Sequence, residues 1–364
     1  MKLLKLLWVL LLVPMSTHAA DLEKELVGKI LNSTVRIVAY EEDGITARGV
    51  GSGVIVSESG LILTNYHVIH KAHQLKVYLW KDRYRKPHIA TVTGTDPLAD
   101  LALLDIDPWP DETFHIAELE TNIEKVYAGV GVIAVGHPLR MKWTVTRGIT
   151  NAVNRLSFIT PYVMLLQHDA VINEGNSGGP LFNLDGNLIG INTYMIAPNE
   201  NYTGMGYAVQ IDSVARSLGQ MIELGVVIRP ALKLNLIPLN EDVRNFIIQE
   251  EEPDPFIPNT FGVIMNFVEP DSHAAKQGMK NFDVIVSMDG FPTNDMREIT
   301  SVMNTKQPGE IVYLLVNRQG EYIIIPYVLK TLEMKLDYYD KDRPSGAVPP
   351  PDPEEKDLED SAEE

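Results

Sequence analysis

The chain has 364 residues, more than one ordinary hydrophobic core accommodates, and its 45% hydrophobic and 22% charged residues are typical of a folded protein. Its formal net charge of −18 argues against binding to nucleic acids, because their phosphates repel a surface of this sign. Cysteine is absent, which excludes disulfides, thiolate metal sites and a cysteine nucleophile.

The first 20 residues have the pattern of an export signal. Lys2 and Lys5 precede an apolar run from Leu6 to Met15, and small residues follow up to Ala19. The run is shorter than the roughly 20 apolar residues that cross a bilayer. We therefore expect cleavage near Ala19, with retention as an anchor as the alternative, and a periplasmic or secreted mature protein.

The next segment predicts one helix and then strands. A short amphipathic helix is expected at residues 21–32, where Leu22, Leu26 and Ile30 recur at four-residue intervals. Residues 35–210 then contain about a dozen short runs rich in Val, Ile, Leu, Thr and Tyr, separated by glycine or polar turns. This pattern predicts a mostly β fold, and two six-stranded barrels fit it.

A second helix is predicted at residues 211–223, with Asp212 as its cap and Gly225 at its end. We place a domain boundary after it, so that a first domain covers residues 21–228. A smaller α+β domain is expected at 229–332.

The remaining residues, 333–364, are predicted to be an acidic disordered tail. From residue 341 onward they contain nine acidic and three basic residues, together with a run of prolines. Few large apolar side chains are present there to offset the entropy of ordering.

The strongest chemical signal is GNSGGP at residues 175–180. Hydrolysis of an amide by a serine hydroxyl needs an exposed Oγ on a tight turn, with backbone N–H groups nearby for the developing oxyanion. The glycines around Ser177 permit such a turn. Ser177 is therefore the predicted nucleophile, and the amides of Gly175 and Ser177 are the predicted oxyanion hole.

A serine nucleophile requires a base and a group that orients the base. His67 follows the strand-like run LILTNY, and Asp100 begins the apolar run DLALL. The chain order His67, Asp100, Ser177 is that of chymotrypsin-like enzymes. Alternative acids are Asp96, Asp105 and Asp169, but Asp100 fits the role best.

The histidines also raise the alternative of a metal site, since His67, His70 and His73 recur at three-residue intervals. No H-E-x-x-H motif or neighbouring carboxylate completes such a site. We therefore expect neither a metal nor another cofactor. No P-loop motif is present either, so the sequence does not support nucleotide-driven unfolding of a substrate.

Three motifs of the first domain resemble the HtrA/Deg family of exported proteases. They are TNYHVI, DPLADLALL and HDAVINEGNSGGPLFNLDGNLIGIN, the last followed by GMGYAV. The resemblance covers residues 33–330 and implies two chymotrypsin-like six-stranded barrels with a His67, Asp100, Ser177 triad between them. It also implies unfolded or misfolded polypeptides as substrates, without ATP, and a homotrimer or larger assembly.

Substrate preference is predicted from three residues near the nucleophile. In trypsin-like enzymes the residue six before the nucleophile, here Val171, lies at the floor of the first specificity pocket, so aliphatic side chains are expected there. Tyr207 contributes to a wall or is simply a strand aromatic. Asn176 stands where zymogen-derived proteases keep an aspartate, so no activating cleavage is expected.

The second domain resembles an HtrA-type PDZ domain, on the segment VEPDSHAAKQGMKNFDVIVSMDGFP. Such a domain adds an extended peptide to its sheet and holds the C-terminal carboxylate in a backbone nest. Here Lys233 stands at the glycine position of the carboxylate loop, which is expected to close or alter the nest. Ile299 and Met303 line a groove or belong to the core, so C-terminal peptides and a purely scaffolding role both remain open.

Two functions follow as hypotheses. The leading one is a serine endopeptidase that cleaves unfolded or misfolded exported proteins through an acyl-enzyme. The alternative is a chaperone or peptide-sensing protein whose triad is inactive until a ligand binds.

Overall fold

The computed structural model describes residues 22–81, 86–138, 143–156, 163–195, 204–250, 256–258 and 260–332. The predicted export signal and the predicted acidic tail lie outside the described residues. Within those ranges, no helix has both the length and the apolar character needed to cross a membrane.

The first barrel consists of six antiparallel strands. They are β1 (Thr34–Tyr40), β2 (Ala47–Ile55), β3 (Leu61–Thr64), β4 (Gln74–Leu79), β5 (His88–Asp96) and β6 (Leu101–Asp105). The order β1-β2-β3-β6-β5-β4 closes on itself because β1 pairs with both β2 and β4. Closure leaves no strand edge unpaired, and the interior is filled by buried side chains such as Ile37, Ile62 and Leu104.

The second barrel has the same number of strands. They are β7 (Gly131–Gly136), β8 (Thr144–Arg155), β9 (Leu165–His168), β10 (Pro180–Asn183), β11 (Leu188–Met195) and β12 (Gly206–Gln210). The order β10-β11-β12-β9-β8-β7 closes through the pairing of β10 with β7. The predicted double-barrel architecture is confirmed.

Three α-helices accompany the barrels in the described ranges: α1 (Lys24–Ser33), α2 (Tyr66–Ile69) and α3 (Ile211–Leu224). A short 3-10 helix (Ile123–Lys125) precedes the second barrel. The predicted cap of α3 is wrong, since Gln210 is the N-cap residue and Asp212 lies in the first turn, where its charge favours the helix dipole. The predicted end is confirmed, because Gly225 adopts a left-handed φ of 72°. Met221 of α3 packs against Gly94 of the first barrel, and α3 also contacts β11 and β12 of the second barrel.

The second domain is α+β, as predicted. A sheet in the order β14-β15-β16-β18-β19 contains β14 (Asn235–Pro238), β15 (Val263–Phe267), β16 (Val284–Met288), β18 (Ile311–Arg318) and β19 (Glu321–Val328). Two short strands, β13 (Pro230–Ala231) and β20 (Lys330–Thr331), pair with each other, and β17 (Phe291–Pro292) pairs with β16. The helices are α4 (Glu241–Glu250), α5 (His273–Lys276) and α6 (Met296–Met303), and the sequence pattern did not predict α4.

A buried ion pair lies where the two domains meet. The guanidinium of Arg229, just before β13, pairs with the carboxylate of Asp96 at the end of β5, and their side chains are 7% and 2% exposed. Ser217 of α3 donates a hydrogen bond of 2.6 Å to the same carboxylate. One buried charge pair therefore joins the first barrel, α3 and the start of the second domain.

Candidate active site

Asp100 lies in the turn between β5 and β6 and has a left-handed φ of 54°. Its backbone carbonyl accepts hydrogen bonds from the Tyr66 amide at 3.1 Å and from the Asn65 side chain at 2.8 Å. These bonds fix the turn against the start of α2, the helix that carries His67. The sequence therefore places the acid and the histidine on neighbouring backbone segments of the first barrel.

The side chains of Asp100 and His67 are directly paired. Asp100 Oδ2 lies 2.8 Å from His67 Nδ1, and Asp100 Oδ1 accepts the His67 backbone N–H at 3.0 Å. The carboxylate side chain is 15% exposed and the imidazole 50% exposed. The carboxylate thus fixes the ring orientation and favours the tautomer with hydrogen on Nδ1, which leaves Nε2 as an acceptor.

Thr193 of β11 connects this pair to Ser177. Its hydroxyl donates to Asp100 Oδ2 at 2.6 Å, and its carbonyl accepts a hydrogen bond from Ser177 Oγ at 3.3 Å. Nothing in the sequence pattern marks Thr193, because a threonine in a strand is common. The structure thereby brings Asp100, His67, Thr193 and Ser177 to one place between the barrels. Among the described residues, no hydrogen bond joins Ser177 to His67.

The turn around Ser177 depends on two glycines. Gly175 has a φ of 102°, and a Cβ there would lie 2.2 Å from the His137 carbonyl oxygen. Gly178 has a φ of 79°, and a Cβ there would lie 2.2 Å from Thr64 Oγ1. Both positions are left-handed and too crowded for a side chain, which is the physical reason for glycine in GNSGGP.

The two amides predicted as an oxyanion hole belong to this turn. In the hydrogen-bond network of the described residues, neither the Gly175 N–H nor the Ser177 N–H donates to a protein acceptor. The Asn176 N–H between them donates to the Asn173 carbonyl at 3.0 Å. Two amides on either side of a closed turn therefore stay available for a negatively charged oxygen.

The three residues predicted to influence substrate preference occupy different environments. Val171 is 44% exposed, and its neighbour Ile172 is buried against Gly206 of β12. Tyr207 stacks on Tyr194 with ring centroids 5.0 Å apart. Asn176 is buried. The roles assigned to Val171, Tyr207 and Asn176 remain predictions.

Two of the alternative triad acids, Asp96 and Asp169, have other partners. Asp96 is held by Arg229, and Asp169 accepts the Ile149 N–H at 2.6 Å in the second barrel. Asp105 ends β6, where burial, followed by the charge of Asp107, raises its pKa. Each carboxylate therefore has a local environment separate from the pairing with His67.

In the described part of the chain, no group of three or more His, Asp or Glu side chains is placed so that it could hold a metal ion. The ring of His70 lies 3.0 Å from the Tyr66 hydroxyl. Three further histidines, His88, His137 and His168, are buried. Burial lowers the pKa of His137 to about 3 and that of His168 to about 4. Both are therefore neutral at physiological pH.

Two family models match the chain. Residues 51–191 match the trypsin-like peptidase domain, and residues 239–324 match the PDZ domain. The first match contains all three residues of the predicted triad.

Individual proteins extend the similarity. A probable periplasmic serine endoprotease DegP-like of Halomonas elongata is 33% identical over 76% of this chain and 55% of its own length. The periplasmic pH-dependent serine endoprotease DegQ of Escherichia coli is 35% identical over 78% of this chain and 60% of its own length. The chain thus spans little more than half of these curated relatives.

A solved structure described as HtrA-type protease AlgW with tripeptide superimposes with a TM-score of 0.73. It is 29% identical and covers 85% of this chain and 97% of its own. The double barrel and the second domain described above are therefore shared with a known protease architecture.

Proposed function

Because the chain belongs to the HtrA-type family of serine proteases, we propose that it is itself a serine endopeptidase. The observation that carries this proposal is the pairing of Asp100 with His67 at 2.8 Å, linked to the Ser177 turn through Thr193. In this proposal Ser177 is the nucleophile, His67 the general base and Asp100 the group that orients it.

The proposed reaction proceeds through an acyl-enzyme. Ser177 Oγ adds to the scissile carbonyl carbon while its proton moves to His67 Nε2, and the Gly175 and Ser177 amides stabilise the oxyanion. The C–N bond then breaks as His67 protonates the leaving amine. A water molecule, deprotonated by His67, hydrolyses the ester and releases the acid.

The proposed substrates are unfolded or misfolded exported polypeptides, cleaved without ATP. The export signal predicted from the sequence and the periplasmic location in the names of the relatives support an envelope or secreted location. An extended substrate segment suits this chemistry, because the attacked carbonyl must reach a turn between two rigid barrels. Assembly into a homotrimer or larger oligomer is part of the proposal, and the mass of the native particle tests it.

The second domain is proposed to bind the C-terminal residues of a polypeptide. A cavity of about 430 Å³ extends from the β13–β14 connection to α6, and its lining includes Leu232, Lys233, Leu234, Ile299 and Met303. Lys233 keeps a left-handed φ of 50°, so the loop retains the backbone form that glycine favours. In this proposal Lys233 forms part of the lining of the cavity that receives the C-terminal residues.

Labelling of Ser177 by a fluorophosphonate tests the proposed activity. The wild-type chain is expected to be labelled and to cleave denatured casein, whereas Ser177→Ala loses both properties and keeps its fold. Ser59→Ala, an exposed serine in a turn, is the matched control and is expected to behave like the wild type. Casein cleavage that persists in a clean Ser177→Ala preparation contradicts the assignment.

A second candidate function is a ligand-activated protein. The observation that favours it is the hydrogen bond from Ser177 Oγ to the Thr193 carbonyl, which directs the hydroxyl proton away from His67. Loose pairing of nucleophile and base is common before substrate binds, so the geometry is compatible with either candidate. Labelling in the presence and absence of a peptide with a free apolar C-terminus separates them, because only a ligand-activated protein needs the peptide.

A further inference from the structure

Ser52 of β2 donates two hydrogen bonds to the turn that carries Ser177. Its backbone N–H donates to the Ser177 carbonyl at 2.9 Å, and its hydroxyl donates to the Gly175 carbonyl at 2.7 Å. The residue is fully buried. One residue of the first barrel therefore binds two carbonyl groups that flank Asn176 in the second barrel.

The same hydroxyl accepts two hydrogen bonds from His137, which follows β7. The His137 backbone N–H and the His137 ring Nδ1 each lie 3.1 Å from Ser52 Oγ. The only hydroxyl hydrogen of Ser52 is used by Gly175, so Nδ1 must carry the hydrogen and donate it. One donor and two acceptor positions of the Ser52 hydroxyl are thus all occupied.

The surroundings of His137 fix this arrangement further. Its ring lies against the indole of Trp143, with centroids 4.3 Å apart, and the Trp143 N–H donates to the Thr34 carbonyl of β1 at 3.0 Å. Burial first, and then the positive charge of Arg36, keep the pKa of His137 at about 3. The ring is therefore neutral in the working pH range, and its Nδ1 hydrogen is permanently available to Ser52.

From these contacts we infer that Ser52 and His137 are positioning residues for the oxyanion hole. The inference rests on the proposed endopeptidase function, since it concerns the same two amides. Binding the Gly175 and Ser177 carbonyls from one residue fixes the two ends of the segment that contains the Asn176–Ser177 peptide group, and with it the Ser177 N–H. The Gly175 N–H is restrained through the Cα that it shares with the bound Gly175 carbonyl. The amides of Gly175 and Ser177 are then held in one orientation before the substrate arrives, which is the condition for stabilising the oxyanion.

The backbone conformation of Gly175 explains why hydrogen bonds from outside the turn are needed to hold it. Its left-handed backbone, with a φ of 102°, is one that glycine reaches without strain but also leaves easily. The His137 N–H also approaches the Gly175 carbonyl, at 3.4 Å, but this bond is long. The short bond from Ser52 therefore provides the main restraint on the orientation of the Gly175 carbonyl.

Steady-state kinetics of Ser52→Ala on an unfolded substrate test the inference. We expect kcat to fall about 100-fold, as for other small displacements of catalytic groups, with KM changed less than about threefold. Affinity for a peptide aldehyde, which places an oxyanion in the hole, is expected to fall with kcat, whereas affinity for the matching peptide alcohol stays the same. Ser33→Ala, which removes another buried hydroxyl, is the matched control and is expected to keep the wild-type kcat.

A second pair of variants applies even if Ser52→Ala does not fold. His137→Asn keeps an N–H near the position of Nδ1, and His137→Leu removes it. We expect His137→Asn to retain most of kcat and His137→Leu to lose about as much as Ser52→Ala. A kcat of His137→Leu equal to that of the wild type overturns this inference alone, and so does a wild-type kcat of a folded Ser52→Ala. The absence of Ser177-dependent turnover in the wild type overturns the proposed function as well.

Discussion

Replacement of Asp96 by asparagine tests the buried ion pair between the domains. The asparagine side chain is nearly isosteric with aspartate and retains an oxygen for the Ala99 N–H, which donates to Asp96 Oδ1 at 3.2 Å. The change therefore removes chiefly the negative charge. Arg229, whose side chain is 7% exposed, then keeps a buried positive charge without its partner.

The expected loss of stability is large. Removal of one partner from a buried ion pair costs about 3–5 kcal/mol. Arg216 adds to the expected loss of stability. Burial and the positive charge of Arg229 already lower the pKa of Arg216. In Asp96→Asn, the carboxylate that pairs with Arg229 is no longer charged and no longer offsets this repulsion. For a domain of about 200 residues, such a loss lowers Tm by roughly 6–20 °C.

Thermal unfolding of Asp96→Asn, followed by circular dichroism in the Ser177→Ala background, measures the effect without self-digestion. The double variant Asp96→Leu, Arg229→Met removes both charges and is expected to recover most of the loss. Glu58→Gln, an exposed acid in a turn, is the control for a change of net charge. A Tm of Asp96→Asn within about 2 °C of that of Glu58→Gln, a difference equivalent to about 0.5–1 kcal/mol, would refute the reasoning.

Three further results are expected. Thr193→Val loses the hydrogen bond to Asp100 and lowers kcat/KM about 10- to 100-fold in a fluorogenic peptide assay. Thr193→Ser keeps the hydrogen bond, and its kcat/KM stays close to that of the wild type. The pKa values of His137 and His168 in the folded state lie below the unfolded value near 6.5, so below that pH the unfolded chain binds protons more readily than the folded one. The stability that the two neutral histidines allow is therefore complete above pH 6.5 and is lost as the pH falls toward 4 and then 3. Urea titrations should show the free energy of unfolding falling by up to about 1.4 kcal/mol per pH unit for each histidine, and by less in His168→Asn. Gly178→Ala forces a Cβ to 2.2 Å from a side-chain oxygen and should abolish fluorophosphonate labelling; full labelling would contradict the described turn.

The sequence pattern predicted the architecture because closed barrels of short strands leave a regular signal. Short apolar runs and turn glycines repeat along residues 35–210, and the first of these runs corresponds to β1. The sequence pattern indicated strands β6 and β10 less clearly, because β6 directly follows Asp100 and β10 begins at the end of the GNSGGP motif. Helix α4 was not predicted, since the acidic segment around it lacks a strong apolar period.

The sequence pattern predicted only some of the residues that meet at the site. Asp100 and His67 were predicted as a pair because the residues of a triad have distinctive types and a distinctive order, and the structure places the two side chains in contact. Thr193, Ser52 and His137 act through hydrogen bonds that form only after strands distant in sequence come together, so no local pattern reveals them. The cap of α3 was wrong for a related reason: Asp212 is a good cap residue in isolation, but strand β12 continues to Gln210 and fixes where the helix begins.

Because β2 of the first barrel contacts the Ser177 turn of the second, the site is complete only when both barrels have folded, which matters while the chain is being synthesised. The proposed base and its acid, His67 and Asp100, belong to the first barrel, whereas the proposed nucleophile Ser177 and the amides beside it belong to the second barrel. During synthesis or translocation, a chain that has delivered only its first barrel carries a histidine with nothing to activate. Under the proposed function, cleavage of neighbouring unfolded chains therefore begins only after the second barrel has closed on the first.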